Sequence, residues 1–203
     1  MALFENHSQP HLILFPMKLR AFITELFVDL PLDEIVDELT DFDERFQIIL
    51  RKHIALLGGW SLVNVLTGLA GMILAEGLWR YFFMMNAVWG FVNAGVTHVF
   101  IRHAFYRKFR KGNILQRFEV QRHAEKVLLL NIGLDLAYIT TGLYLKALGL
   151  SCNTLYADLW FGFGWSVILQ GVYLFVQDNV FHYLHYLNIK KAKPFMMERM
   201  ERR

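Results

Sequence analysis

The chain has 203 residues, 55% of them hydrophobic and 19% charged, with a formal net charge of +3. That balance is too apolar for an ordinary soluble domain, and the small net charge gives no general reason to expect nucleic acid as a partner. A single cysteine, Cys152, excludes an intrachain disulfide or a cysteine-rich metal centre.

The first 53 residues carry ten of the 18 acidic residues and read as an acidic, cytoplasmic or interfacial arm. Leu12 to Phe15 is too short for a secretory signal and stops at Pro16. From Met17 to Leu30, Leu19, Phe22, Ile23, Leu26, Phe27 and Leu30 recur at helical spacing between charged residues, which predicts an amphipathic helix lying on a membrane surface. Pro31, followed by Asp33 and Glu34, suits the first turn of a second helix, where the positive end of the dipole favours acids. That helix is expected to run through Ile35, Leu39, Phe42, Phe46 and Ile49 into the next apolar run.

Four apolar runs follow, at about 54–75, 81–101, 127–145 and 159–187. Each approaches or exceeds the roughly 20 residues needed to cross a hydrocarbon core of about 30 Å. The expected fold is therefore all-α, an integral membrane four-helix bundle over 54–187, preceded by one or two amphipathic interfacial helices and followed by a basic tail over 188–203. Of the 21 basic residues, only Arg80 and Lys146 fall near the two short turns on one side. The positive-inside rule then puts both termini in the cytoplasm, with basic segments against anionic lipid.

The four runs share a polar layer. Asp135 stands alone in the uncharged stretch from Val127 to Leu145. A charge at the centre of an apolar helix costs about 2.5–3.5 kcal/mol on insertion scales, so Asp135 is expected to face protein partners rather than lipid. Asn64, Asn93 and Gln170 lie at a similar depth in the other runs, and Asn131, Asp135, Tyr138 and Gly142 form one stripe spaced by four, three and four. Ser166, Gln170, Tyr173 and Gln177 repeat that spacing; Trp60, Asn64, Gly68 and Gly71 share another face, as do Asn86, Asn93 and Thr97. Small residues beside amides allow membrane helices to approach closely and hydrogen-bond. The layer therefore reads either as bundle glue or as the lining of a proton-linked polar cavity around Asp135.

A second group, His98, Asp178, His182 and His185, offers imidazoles and a carboxylate that suit a transition metal or haem. No cofactor is favoured, because the group lacks the repeated histidine boxes of membrane desaturases. There is no glycine-rich phosphate loop and no HExxH pattern. The reading leans away from an enzyme.

GGWxxxN at Gly58 to Asn64, NxxxDxxYxxxG at Asn131 to Gly142, and Gln170 with Gly171 together resemble a group of small bacterial four-helix integral membrane proteins. The resemblance covers the four runs and implies a fold, with no activity attached. The expected role is a non-catalytic subunit or scaffold of a larger membrane assembly, with protein partners or further copies of itself. A small proton-linked transporter is the first alternative and a haem or metal protein the second.

Overall fold

The computed structural model describes residues 38–106, 114–151 and 156–201, with side chains described over 41–102, 116–151 and 156–194. The chain divides into two compact units, and the described residues all belong to the larger, Val36–Arg203. The amphipathic helix expected over Met17–Leu30, the basic stretch at 107–111, the His103 side chain and Cys152 lie outside the described residues.

All four described elements are helices: α1 (Glu38–Leu74), α2 (Gly77–Tyr106), α3 (Ile114–Ser151) and α4 (Ala157–Glu201). Each contains a stretch long and apolar enough to cross a membrane: Asp41–Leu74, Gly77–Arg102, Gln116–Ser151 and Ala157–Pro194. α1 passes through residue 53 without a break, so the acidic segment from Glu38 and the first apolar run form one helix. Between α1 and α2 only Ala75 and Glu76 are non-helical. Gly77 adopts φ 55°, in the left-handed region where a Cβ is strained. A tight reversal there returns α2 along α1.

Close approaches define the directions of the helices. A Cβ on Gly58 would meet Thr97, one on Gly68 would lie 2.5 Å from the Ala87 backbone nitrogen, and one on Gly71 would overlap the Phe83 ring. One number rises as the other falls, so α1 and α2 are antiparallel. The same holds for α3 and α4, where Gly142 faces Gly164 and Gly149 faces Phe161. Between α2 and α4 the numbers rise together, Leu78 with Gly162 and Asn86 with Ser166, so these two are parallel. α4 touches both hairpins and is the central helix of the bundle.

α4 has 45 residues, about 67 Å at 1.5 Å per residue, more than twice a bilayer core. Its C-terminal end packs with the starts of α1 and α3 to form a three-helix extension. Phe42, Ile189 and Ala192 are its apolar centre, with Phe118 against them. Buried polar contacts bind it further. Arg45 Nε donates to Asn188 Oδ1 at 2.7 Å, and Asn188 Nδ2 donates to Gln121 Oε1 at 3.0 Å and to the Phe42 carbonyl at 3.1 Å. At its edge, Arg117 Nη1 lies 2.8 Å from Asp43 Oδ2.

Candidate functional site: a buried polar layer

Asn64, Asn93, Asp135 and Gln170 are all buried, with exposures of 3, 4, 3 and 0%. Helical spacing brings this about, because each residue shares a face with the small residues that bring its helix close to a neighbour. Gln170 is the hub. Its Nε2 donates to Asn64 Oδ1 at 2.6 Å and to Asn86 Oδ1 at 2.9 Å, and its Oε1 accepts from Trp60 Nε1 at 2.8 Å. Ser166 Oγ also donates to Asn86 Oδ1, at 2.7 Å, and Asn64 Nδ2 donates to the Trp60 carbonyl at 2.8 Å. One α4 side chain thereby ties α1 and α2 together. The Trp60 ring stacks on Tyr173 with centroids 3.8 Å apart, covering the hub on one flank.

Asp135 stands beside this hub on α3. A Cβ added to Gly171 would lie 3.0 Å from the Asp135 carbonyl oxygen, so α3 and α4 are nearly in backbone contact at this level. Tyr138, one turn away, meets Trp89 of α2 edge-on, with ring centroids 4.9 Å apart. The Asp135 carboxyl oxygen Oδ2 is buried and has no hydrogen-bond partner, and neither has Asn93 Nδ2. Asn131 is half-buried. The polar layer thus has two parts: a hydrogen-bonded hub, and an acid with a buried, unpaired oxygen.

The histidine group is arranged differently from the sequence expectation. Asp178 has a buried partner on α1: His53 Nε2 lies 3.2 Å from Asp178 Oδ1. The His53 ring stacks on Phe181 with centroids 4.5 Å apart. His185 is buried and tilted against Phe46, at 5.3 Å between centroids, while His182 is half-buried. His98 is exposed and lines an open groove of about 400 Å³ between α1 and α2, together with Ser61, Val65 and Thr97. Among the described residues, no three side chains of His, Cys, Asp or Glu are grouped so as to hold a metal ion.

Residues 56–179 match the model of a family of unknown function, DUF6992. The chain belongs to this family. No curated protein and no solved structure matches it. The matched segment begins midway along α1 and ends in α4, so it contains the whole Gln170 hub, Asp135 and Asp178. It excludes His53, His185 and Asn188, the residues through which α1 and α4 enter the three-helix extension.

Two features of the site lie outside the expected set. Asn86, not Asn93, is the α2 amide that joins the hub; the two are seven residues apart on one face, so spacing alone does not choose between them. Arg45, Gln121 and Asn188 come from three distant segments, and no local pattern connects them.

Proposed function

We propose that this is an integral membrane protein whose four helices cross the bilayer, and that it serves as a non-catalytic subunit or scaffold of a larger membrane assembly. Support for insertion comes from the bundle's outer surface: Leu62, Leu66, Ile73, Leu130, Leu143 and Val176 are all at least half exposed. So much outward apolar surface requires lipid or protein against it. Trp79 and Tyr156, exposed beside the short turns, fit an interfacial aromatic belt, and Lys146 Nζ lies 3.4 Å from the Trp165 ring centroid. The concentration of basic residues at the opposite ends of the helices supports a reading in which both termini lie in the cytoplasm, against anionic lipid, at a bacterial inner membrane.

The scaffold role is carried by the Gln170 hub, whose bonds run between helices of the same bundle. A polar layer used in this way holds helices together rather than presenting groups to a substrate. Purification of the full chain in mild detergent tests the role. Co-purifying membrane proteins or a defined homo-oligomer is the expected result, and a strictly monomeric particle would count against it.

A second reading, a small proton-linked transporter, is favoured by one observation, the unpaired Asp135 Oδ2 in the buried layer. Asp135→Asn separates the two readings, since it keeps the side chain's shape and removes its titratable group. Proton-coupled flux lost on a folded background supports the second reading; flux unchanged from the unaltered chain refutes it.

A further inference from the structure

Among the described side chains, the buried polar atoms without a hydrogen-bond partner are Asn93 Nδ2, Glu125 Oε1, Asp135 Oδ2, Gln177 Oε1 and His185 Nδ1. Their positions along the bundle are ordered. Gln170 bonds Asn86, and on the parallel helices α4 and α2 a step of seven residues leads to Gln177 and Asn93, two turns toward the chain's C-terminal end. Asp135 is fixed beside Gly171 by the backbone approach there. Farther on, Gln121 Nε2 donates to the His185 carbonyl at 2.9 Å, which brings the neighbouring turn of α3, with Glu125, level with the His185 region of α4. Between these levels stands the buried Asp178–His53 pair. Asp135 is therefore level with the hub, and the other four unpartnered atoms fall on one side of it, toward the three-helix extension.

Buried polar atoms are normally partnered, and scattered packing defects would not be confined to half of the bundle. The set contains an amide donor and carboxyl and amide acceptors. A bare cation would be opposed by the donor and an anion by the acceptors. Water, which donates and accepts, can satisfy both.

We propose that these side chains line a narrow hydrated column that carries protons from the side of the chain termini to Asp135 and ends at the Gln170 hub. Hydronium arriving along the column gives its proton to the Asp135 carboxylate, leaving water and a neutral carboxyl group. Facing the column are His53 from α1, Asn93 from α2, Glu125 and Asp135 from α3, and Asp178, His182 and His185 from α4. The hub closes the other end because its amides are bonded to one another. The column depends on the membrane-spanning reading for its direction but not on the subunit reading.

The test uses the full chain carrying Cys152→Ser, which leaves no other thiol. Asn93→Cys and Gln177→Cys place thiols in the column; Ser166→Cys and Val167→Cys place them at the equally buried hub level. Silver ion, which travels with water and captures thiolate, is expected to block the two column positions about tenfold faster or more than the hub positions in detergent. In vesicles the block is expected only from the side of the termini. Column thiols blocked no faster than hub thiols, or blocked equally from both sides, would overturn the proposal.

X-ray radiolysis of the unaltered chain supplies a second measurement with no substitution in the column. Oxidation beside internal water is expected at the buried Phe181 and His185. Both left unmarked would sink the hydrated column. Extraction from membranes by alkali without detergent would instead remove the membrane-spanning reading and leave the detergent result standing.

Discussion

Gln170 of α4 lies wholly buried with its amide nitrogen 2.6 Å from the Asn64 side-chain oxygen of α1. The same amide reaches Asn86 and receives the Trp60 indole, so replacing it removes the partner of three groups at once. Gln170→Leu keeps the volume and leaves Asn64, Asn86 and Trp60 short of bonds. A buried polar group left unsatisfied costs about 1–3 kcal/mol, against about 0.6 kcal/mol for an average interhelical bond in a membrane. A loss of about 2 kcal/mol is expected, the middle of the first range, because the stranded groups keep some partners. Reversible unfolding in mixed detergent micelles measures it.

The α3–α4 contact makes a sharper test because two glycines of α3 have opposite surroundings. A Cβ on Gly142 would lie 2.7 Å from the Gly164 carbonyl oxygen and 2.9 Å from the Ile168 nitrogen, whereas one on Gly133 meets nothing within 4 Å. Gly142→Ala must push two helix backbones apart, at about 1–3 kcal/mol. Gly133→Ala gains helix propensity of up to about 1 kcal/mol and is expected to be neutral or stabilising. Melting temperatures of the two variants under one detergent condition should move in opposite directions or leave Gly133→Ala unchanged. Equal losses would mean that the close crossing is absent.

Much of this layer was legible in the sequence because helices impose a period. Asn64, Asp135 and Gln170 share faces with Trp60, Tyr138 and Tyr173 at spacings of three or four, and each of these six side chains is buried or half-buried. The choice of Asn86 over Asn93 was not legible, since it depends on how far α2 slides along α4, which no single helix records. The Asp178–His53 pair was hidden for the same reason: an imidazole 125 positions away on α1 is brought level with Asp178 only by the antiparallel register. The length of the helices beyond the apolar runs was half visible. α1 was expected to continue from the acidic segment, but the polar contacts that make a three-helix extension come from segments with no local signature.

That extension gives a prediction separable from the hub. Arg45 is buried, and Asn188 holds its guanidinium at 2.7 Å while also bonding Gln121. Asn188→Leu leaves a buried charge with one bond fewer, and hydrogen bonds to charged groups contribute about 1.5–3 kcal/mol. The loss should stay local, because the nearest hub residue of α4 is 18 positions away, about 27 Å along the helix. Hydrogen exchange read by mass spectrometry is expected to accelerate over residues 38–53 and 114–126 and to remain unchanged over 60–71. Acceleration throughout would show one cooperative unit instead.

His53 and Asp178 invite a double-mutant cycle. Their charged or polar atoms lie 3.2 Å apart, each side chain only 7% exposed, with Phe181 stacked on the imidazole. Removing one member strands the other in a site of low polarity, which costs about 3–5 kcal/mol for a buried pair. His53→Leu is therefore expected to destabilise strongly, as is Asp178→Leu. In the double variant neither group is stranded and the two leucines fill comparable space beside Phe181, so most of each single loss should be regained. Coupling of at least about 2 kcal/mol is expected, well above the additivity error of distant sites. Purely additive losses would show that the two side chains act independently and that the imidazole is held by its ring contacts alone. The cycle also bears on the column, because Asp178 stands between Gln177 and His185: a folded double variant whose Gln177→Cys thiol still reacts with silver would show that the pair borders the water path without being required to hold it open.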